Sequence, residues 1–243
     1  MTVHSQDIAA RTAEGPMQVV TSAPSSEDSP TVLMYMDAPG IRTATRVFAE
    51  KLATEGYQVV VPDLYHREGE LLHLEPADAK ADPTRRQEIS RLMGTLTDDG
   101  IQADGAAALE ACGVSNDEPI AVIGFCLGAR AVHRTMQRQH DRVVAGAMWH
   151  PSFLADEGED SPHLSASQIG SLFIGIGEQD TVQSIEMHQP YFDVIRSMEH
   201  VTLEQYPSAG HGYTWPDHPS YDEEAANASF DRTLALFALA FAG

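Results

Sequence analysis

The residues with the clearest chemical potential are those of Gly124-Phe125-Cys126-Leu127-Gly128. The apolar run Ile120-Ala121-Val122-Ile123 precedes them, and Ala129-Arg130-Ala131-Val132 follows as the start of a predicted helix. A strand, a Gly-x-nucleophile-x-Gly turn and a helix are typical of a nucleophile elbow, here with Cys where Ser is commoner. A sulfur at a helix N-terminus lies near free N–H groups and the positive end of the helix dipole, which favour a thiolate. We therefore interpret Cys126 as a nucleophile, and the alternative is a buried Cys in an ordinary glycine-rich turn.

A nucleophilic thiol needs a base and a group that orients the base, and two later residues fit these roles. Asp180 follows one predicted strand, and His211 lies between two glycines after the last strand. Nucleophile, acid and base in this chain order are typical of an α/β-hydrolase. We predict that His211 takes the thiol proton and later protonates the leaving group, while Asp180 holds the imidazole tautomer. Three further carboxylates remain open as the acid: Glu178, Asp193 and Asp217.

Acyl transfer also requires hydrogen-bond donors for the oxyanion that forms at the attacked carbonyl group. One donor is expected from the backbone N–H of Leu127, the residue after the nucleophile. The second is expected from the loop after the first long strand, where we choose Ala38.

Strands and helices must alternate to position these residues, and the apolar patterning predicts that they do. A hairpin is predicted over 7–12 and 16–21, with strands over 31–36, 58–61, 119–124, 143–149, 171–176 and 201–206. Helices are predicted at about 43–55, 83–96, 98–112, 184–198 and 221–241, besides the helix from the elbow to about 139. The pattern indicates an α/β-hydrolase fold, a mostly parallel sheet with helices on both faces, in a single domain over residues 1–243. Ligands of such sheets bind beyond the carboxyl ends of strands, where the three candidate residues lie.

Composition narrows the classes of partner. Fifteen basic and 36 acidic residues give a formal charge of −21, and this field argues against nucleic acid or an anionic membrane surface. Two cysteines are too few for a disulfide framework and suggest a reducing compartment. We find no secretory leader pattern and no apolar run near the roughly 18 residues of a membrane span, so we expect a cytoplasmic protein. We further expect it to be a monomer or a homodimer.

Five motifs together resemble the dienelactone hydrolase family, the cysteine members of the α/β-hydrolase superfamily. They are the elbow, Met36-Asp37-Ala38-Pro39-Gly40, Val61-Pro62-Asp63-Leu64-Tyr65, Gly177-Glu178-Gln179-Asp180 and Ala209-Gly210-His211-Gly212-Tyr213. The resemblance covers most of the chain. It implies hydrolysis of a lactone or ester through a thiol acyl-enzyme and a Cys-His-Asp triad, with a small-molecule substrate and with neither metal nor organic cofactor.

Two positions depart from the family pattern. Asp37 stands where members that act on dienelactone carry a Glu that contacts the resting Cys. Trp215 stands where such members carry an Arg for the substrate carboxylate, and the resemblance relates Arg85 or Arg86 to their other substrate Arg. These departures predict a substrate with less negative charge, or with more apolar surface near Tyr213 and Trp215.

Two other functions remain open from the sequence. One is a thioesterase or another acyl-transfer enzyme with the same triad, and the other is a non-catalytic binding protein on the same fold. A metal hydrolase is disfavoured, because the chain contains neither a His-Glu-x-x-His run nor a Cys-x-x-Cys pair.

Overall fold

Strands and helices alternate along the chain in the computed structural model, which describes residues 2–26, 28–75, 82 and 84–243. The chain divides into two compact units, Met1–Ile120 and Ala121–Gly243. The predicted nucleophile, base and acid all belong to the second unit.

The first unit contains four neighbouring strands, in the spatial order β1 (Val3–Thr12), β2 (Gly15–Pro24), β4 (Gln58–Pro62) and β3 (Thr31–Tyr35). The β1–β2 pair is the predicted hairpin, and β2 pairs antiparallel with β4 whereas β3 pairs parallel with it. Every residue of β3 is buried, which explains why this strand has a continuous apolar run rather than an alternating one. The helices in the described part of this unit are α1 (Thr43–Thr54), α2 (Thr84–Met93) and α3 (Asp98–Ala111).

The second unit contains strands in the order β5 (Ile120–Phe125, which starts at the boundary), β6 (Val143–Trp149), β7 (Leu172–Gly177) and β8 (Val201–Tyr206). The β6–β7 and β7–β8 pairs are parallel. Helices α4 (Leu127–Arg138), α5 (Ile185–Ile195) and α6 (Glu223–Ala242) and a short 3₁₀-helix, Pro162–Gln168, connect or follow these strands.

The predicted α/β class with a mostly parallel sheet is confirmed. The strands over 143–149 and 201–206 have the predicted bounds, and most other elements differ by one or two residues at an end. Helix α2 is shorter than predicted, and residue 83 of that prediction lies outside the described residues. The 3₁₀-helix was not predicted, and the single domain stays a prediction. Within the described part of the chain, no helix is long and apolar enough to cross a bilayer.

Candidate active site

Cys126 lies in the tight turn between β5 and α4, in a backbone conformation that side chains rarely adopt. Its φ is +53° and its ψ is −116°, and such a conformation at a residue other than glycine costs roughly 1–3 kcal/mol. Three backbone hydrogen bonds hold it there. The Cys126 N–H donates to the Trp149 carbonyl at 3.2 Å, and the Cys126 carbonyl accepts from the N–H groups of Ser152 at 2.9 Å and Ala129 at 3.1 Å. The turn therefore has the strained geometry of a nucleophile elbow.

Gly124 is required on packing grounds. A Cβ atom at this position would overlap the Gly128 backbone and come within 2.9 Å of Val132 Cγ2, so β5 and α4 can approach this closely only over glycine. The sulfur of Cys126 is left half-buried at the start of α4. The Leu127 N–H, at the first residue of that helix, is one of the donors that precede the helical hydrogen-bond ladder.

Asp180 is fixed by the loop that follows β7. Its Oδ1 accepts hydrogen bonds from the N–H groups of Val182 at 2.9 Å and Gln183 at 2.8 Å. Its Oδ2 accepts from Nδ1 of His211 at 2.7 Å, and its side chain is fully buried. These three bonds leave the carboxylate one orientation, directed at the imidazole.

His211 contacts Asp180 on one side and Cys126 on the other. Burial lowers its pKa, but the hydrogen bonds and charges of Asp180 and Cys126 outweigh burial and raise the pKa to about 10. With this pKa the imidazole is positively charged near neutral pH. Because Nδ1 donates to the carboxylate, Nε2 is the nitrogen that can exchange a proton with the sulfur or a substrate. The structure brings all three predicted residues into one hydrogen-bonded series.

Ala38 and Asp37 lie after β3 in the first unit. The Gly40 N–H donates to the Asp37 carbonyl at 3.0 Å, closing a turn, and the Tyr65 hydroxyl donates to the Ala38 carbonyl at 2.8 Å. The Asp37 carboxylate accepts a 2.8 Å hydrogen bond from Arg42, and both side chains are buried. This ion pair was not predicted from the sequence, and a role for Asp37 in binding substrate stays a prediction.

The other predicted substrate residues occupy two settings. Arg85 and Arg86 lie exposed on α2, where Arg85 donates to the His73 carbonyl at 3.3 Å. Tyr213 is fully buried, with its hydroxyl 2.7 Å from that of Ser229, and Trp215 is 2% exposed and packs 4.7 Å from the ring of Phe125. The two aromatic rings thus support the site from within the core, and a substrate contact by any of these four residues stays a prediction.

Three residues around the predicted triad were missed by the sequence analysis. The Ser152 hydroxyl lies 3.3 Å from the Cys126 sulfur, and the His150 ring packs edge-on against His211 with centroids 5.1 Å apart. His188, on α5, donates from Nε2 to the Pro151 carbonyl at 3.0 Å. It also interacts electrostatically with Asp180 and His211. The available signal was the position of residues 150–152, directly after the end of β6.

His188 makes the stability of the fold depend on pH. Burial is the main cause that lowers its pKa to about 4, whereas an unfolded His titrates near 6.5. Since the unfolded chain takes up this proton first, stability is lost as pH falls from about 6.5 towards 4, by up to about 3 kcal/mol from this group. We expect His188→Asn to flatten the dependence between about pH 7 and about pH 4.5, measured by urea unfolding.

The matched control for this prediction is His140→Asn, which changes a side chain that is 68% exposed. It should keep the wild-type slope of stability against pH. An unchanged slope in His188→Asn would show that other groups carry the acid sensitivity.

Comparison with known proteins first defines the class. A solved structure of a dienelactone hydrolase candidate from Klebsiella pneumoniae superposes with a TM-score of 0.80 at 22% identity, covering 98% of this chain and 99% of that one. Together with the strand order and the elbow, this likeness identifies an α/β-hydrolase fold. The match to the Dienelactone hydrolase family extends over residues 17–241, and the chain belongs to that family.

Two relatives known by sequence agree with this membership. The carboxymethylenebutenolidase of Rhodococcus opacus is 27% identical over 214 residues, which cover 85% of this chain and 80% of the relative. Carboxymethylenebutenolidase 1 of Cupriavidus pinatubonensis is 24% identical over 219 residues, which cover 89% and 88%. The protein is therefore a hydrolase of the dienelactone hydrolase type.

Proposed function

We propose that this hydrolase cleaves small esters or lactones through a covalent thioester on Cys126. His211 acts as base and acid, and Asp180 orients it. The observation that carries the proposal is the continuous series in which a buried carboxylate bonds His211 at 2.7 Å and the same imidazole bonds the thiol of the elbow. The names of the two carboxymethylenebutenolidase relatives support an ester or lactone substrate.

Acylation begins when His211 takes the proton of the Cys126 thiol. The sulfur attacks the carbonyl carbon, and the carbonyl electron pair moves to its oxygen to form the tetrahedral oxyanion. The Leu127 N–H is one donor to this oxyanion, and the Ala38 N–H is our candidate for the other. When the oxyanion collapses, the C–O bond breaks and Nε2 of His211 gives its proton to the departing alcohol oxygen. In a lactone, that alcohol remains tethered to the acyl group.

Deacylation repeats these steps with water. Neutral His211 takes a proton from a water molecule while the water oxygen attacks the thioester carbon. The second tetrahedral intermediate breaks its C–S bond, so the carboxylic acid leaves and the electron pair returns to the sulfur. Asp180 holds the imidazole in place and stabilises the imidazolium at both stages. The cycle regenerates the ion pair of thiolate and imidazolium.

A thioesterase would use the same residues, because a thioester carbonyl accepts the same attack. Assays of aryl esters, small lactones and acyl thioesters at matched concentration decide between them by the ratio of kcat/KM values. The same assays test whether Arg85 or Arg86 holds a substrate carboxylate, by comparing neutral lactones with lactones that carry a carboxylate. The oligomeric state and the cytoplasmic location also stay predictions.

Rapid acid quenching during turnover of p-nitrophenyl acetate is expected to trap an acetyl group on the Cys126 peptide in a fraction of the chains. Hydrolysis through a thioester requires this intermediate, and acid stops its breakdown. Peptide mass spectrometry locates the label, and the peptide that carries Cys112 serves as the internal control. Turnover without a label on Cys126 would contradict covalent catalysis by this residue.

A further inference from the structure

Residues 150–153, which follow β6, form a short segment with unusual backbone strain. Two of its four residues, neither of them glycine, have positive φ angles: His150 at +38° and Phe153 at +60°. Left-handed conformations of this kind persist when surrounding contacts over-determine them, and they concentrate at functional sites. Cys126 also has a positive φ angle, so three non-glycine residues with this strained backbone lie close together in the second unit.

Every residue of this segment is anchored. The N–H groups of His150 and Ser152 donate to the carbonyls of Gly175 and Cys126, at 2.8 and 2.9 Å. The N–H of Phe153 donates to the Gln183 side chain at 3.1 Å, and Gln183 itself donates its N–H to Asp180. The two carbonyls accept from side chains, Pro151 from His188 at 3.0 Å and Phe153 from Arg130 at 3.3 Å.

The result of this anchoring is the position of one hydroxyl group. Ser152 Oγ lies 3.3 Å from the Cys126 sulfur, and the residue is 1% exposed. Either atom can donate while the sulfur carries its proton. A thiolate can only accept, so once His211 holds the proton the Ser152 hydroxyl must donate to the sulfur. Hydrogen bonds to a charged acceptor are about twice as strong as neutral ones.

We propose that Ser152 is a positioning residue that donates a hydrogen bond to the Cys126 thiolate, fixes its direction and stabilises the sulfur as the leaving group of deacylation. The proposal rests on the proposed function of Cys126 as the nucleophile. In deacylation the C–S bond breaks and its electron pair returns to the sulfur, which then accepts the Ser152 hydrogen bond. Ser152 therefore contributes most where charge develops on sulfur, in thiolate formation and in thioester breakdown.

Iodoacetamide alkylation of Cys126 against pH tests the proposal without any ester. The titratable groups around this sulfur are His211, which bonds it, and Asp180 and His188, which interact electrostatically with His211. In Ser152→Ala we expect alkylation to be about tenfold slower near neutral pH, with the midpoint of the profile moved to higher pH and the rates converging in alkali. Ser152→Thr, which keeps the hydroxyl, should restore the wild-type midpoint.

Ester kinetics supply the second readout. Ser152→Ala should lower kcat about tenfold through slow deacylation, so that the acetyl-enzyme accumulates in acid-quenched samples. The matched control is Ser165→Ala, which removes another buried serine hydroxyl, one that bonds His133 instead. It should leave both the alkylation profile and kcat unchanged.

An unmoved alkylation midpoint in Ser152→Ala overturns the proposal, and so does a uniform loss of rate at every pH, since packing alone would cause that. Faster alkylation at low pH also overturns it, because the hydroxyl would then be an acceptor that favours the thiol. If Ser152→Thr is too unstable to measure, the Ser152→Ala profile decides alone. Turnover that survives Cys126→Ala would instead refute the proposed function. The alkylation profile would still show whether Ser152 bonds the Cys126 sulfur, because that experiment uses no ester.

Discussion

Cys126→Ala is expected to lose at least about 10⁴-fold in kcat/KM for p-nitrophenyl acetate while remaining folded. The methyl group of Ala has no electron pair with which to attack a carbonyl, so the covalent route ends. Slow hydrolysis can persist through the oxyanion donors and bound water. The sulfur is half-buried in a turn that backbone hydrogen bonds hold, so we expect thermal unfolding to shift by a few degrees at most.

Cys112→Ala is the matched control for this variant. Both thiols are free and half-buried, but burial raises the Cys112 pKa to about 11, so that thiol stays neutral near pH 7. The control should keep wild-type turnover, and iodoacetamide should label Cys126 faster than Cys112 in the native protein. Loss of less than a tenth of the turnover in Cys126→Ala would place the nucleophile at another residue.

The sequence predicted which residues come together at the candidate site, because each of them had a local signal. Gly124 and Gly128 mark a turn that only small residues permit, and the apolar run before them marks a buried strand. The position of Asp180 and His211 after strands follows from where parallel strands end. The alternatives to Asp180 as the acid required tertiary information, because several carboxylates also lie near strand ends or in later loops.

The supporting residues could not be predicted, because nothing local specifies them. Ser152 is 26 positions from Cys126, and no motif links a serine after one strand to a cysteine after another. The positive φ angles of His150 and Phe153 arise from anchoring by distant groups, whereas residue type alone predicts such angles at glycine or asparagine. The strain is visible only once the segment is seen bonded to the elbow.

Charge pairing was also hidden from the sequence. Asp37 was singled out because a family motif places an acid there, yet its carboxylate bonds Arg42, five residues later. Tyr213 and Trp215 were expected to offer apolar surface to a substrate, and they are buried. In both cases the sequence identified residues in the loops that follow β3 and β8. The direction of their side chains depends on tertiary packing, which the spacing of residues along the chain does not predict.

Asp180→Asn is expected to lower kcat/KM about 10²- to 10⁴-fold with little change in folding. Its Oδ1 accepts two backbone N–H groups, so the oxygen of an Asn amide must take that place and the amide NH₂ must face His211. Nδ1 then becomes an acceptor, which moves the imidazole proton to Nε2 and leaves no base directed at the thiol. The His211 pKa, about 10 in the native protein, should fall, and NMR titration of the imidazole measures that change.

Asp193→Asn is the control that separates orientation of the base from a general loss of negative charge. Asp193 lies on α5, its side chain is 58% exposed, and it bonds Gln189 and Arg196. The control removes one carboxylate of the same type, so it should keep both the wild-type kcat/KM and the His211 titration. If instead the two variants lose activity equally, the net acidity of the chain rather than the Asp180–His211 bond supports catalysis. A loss confined to Asp180→Asn, together with a lowered His211 pKa, ties the rate to the charge that this buried carboxylate places beside the imidazole.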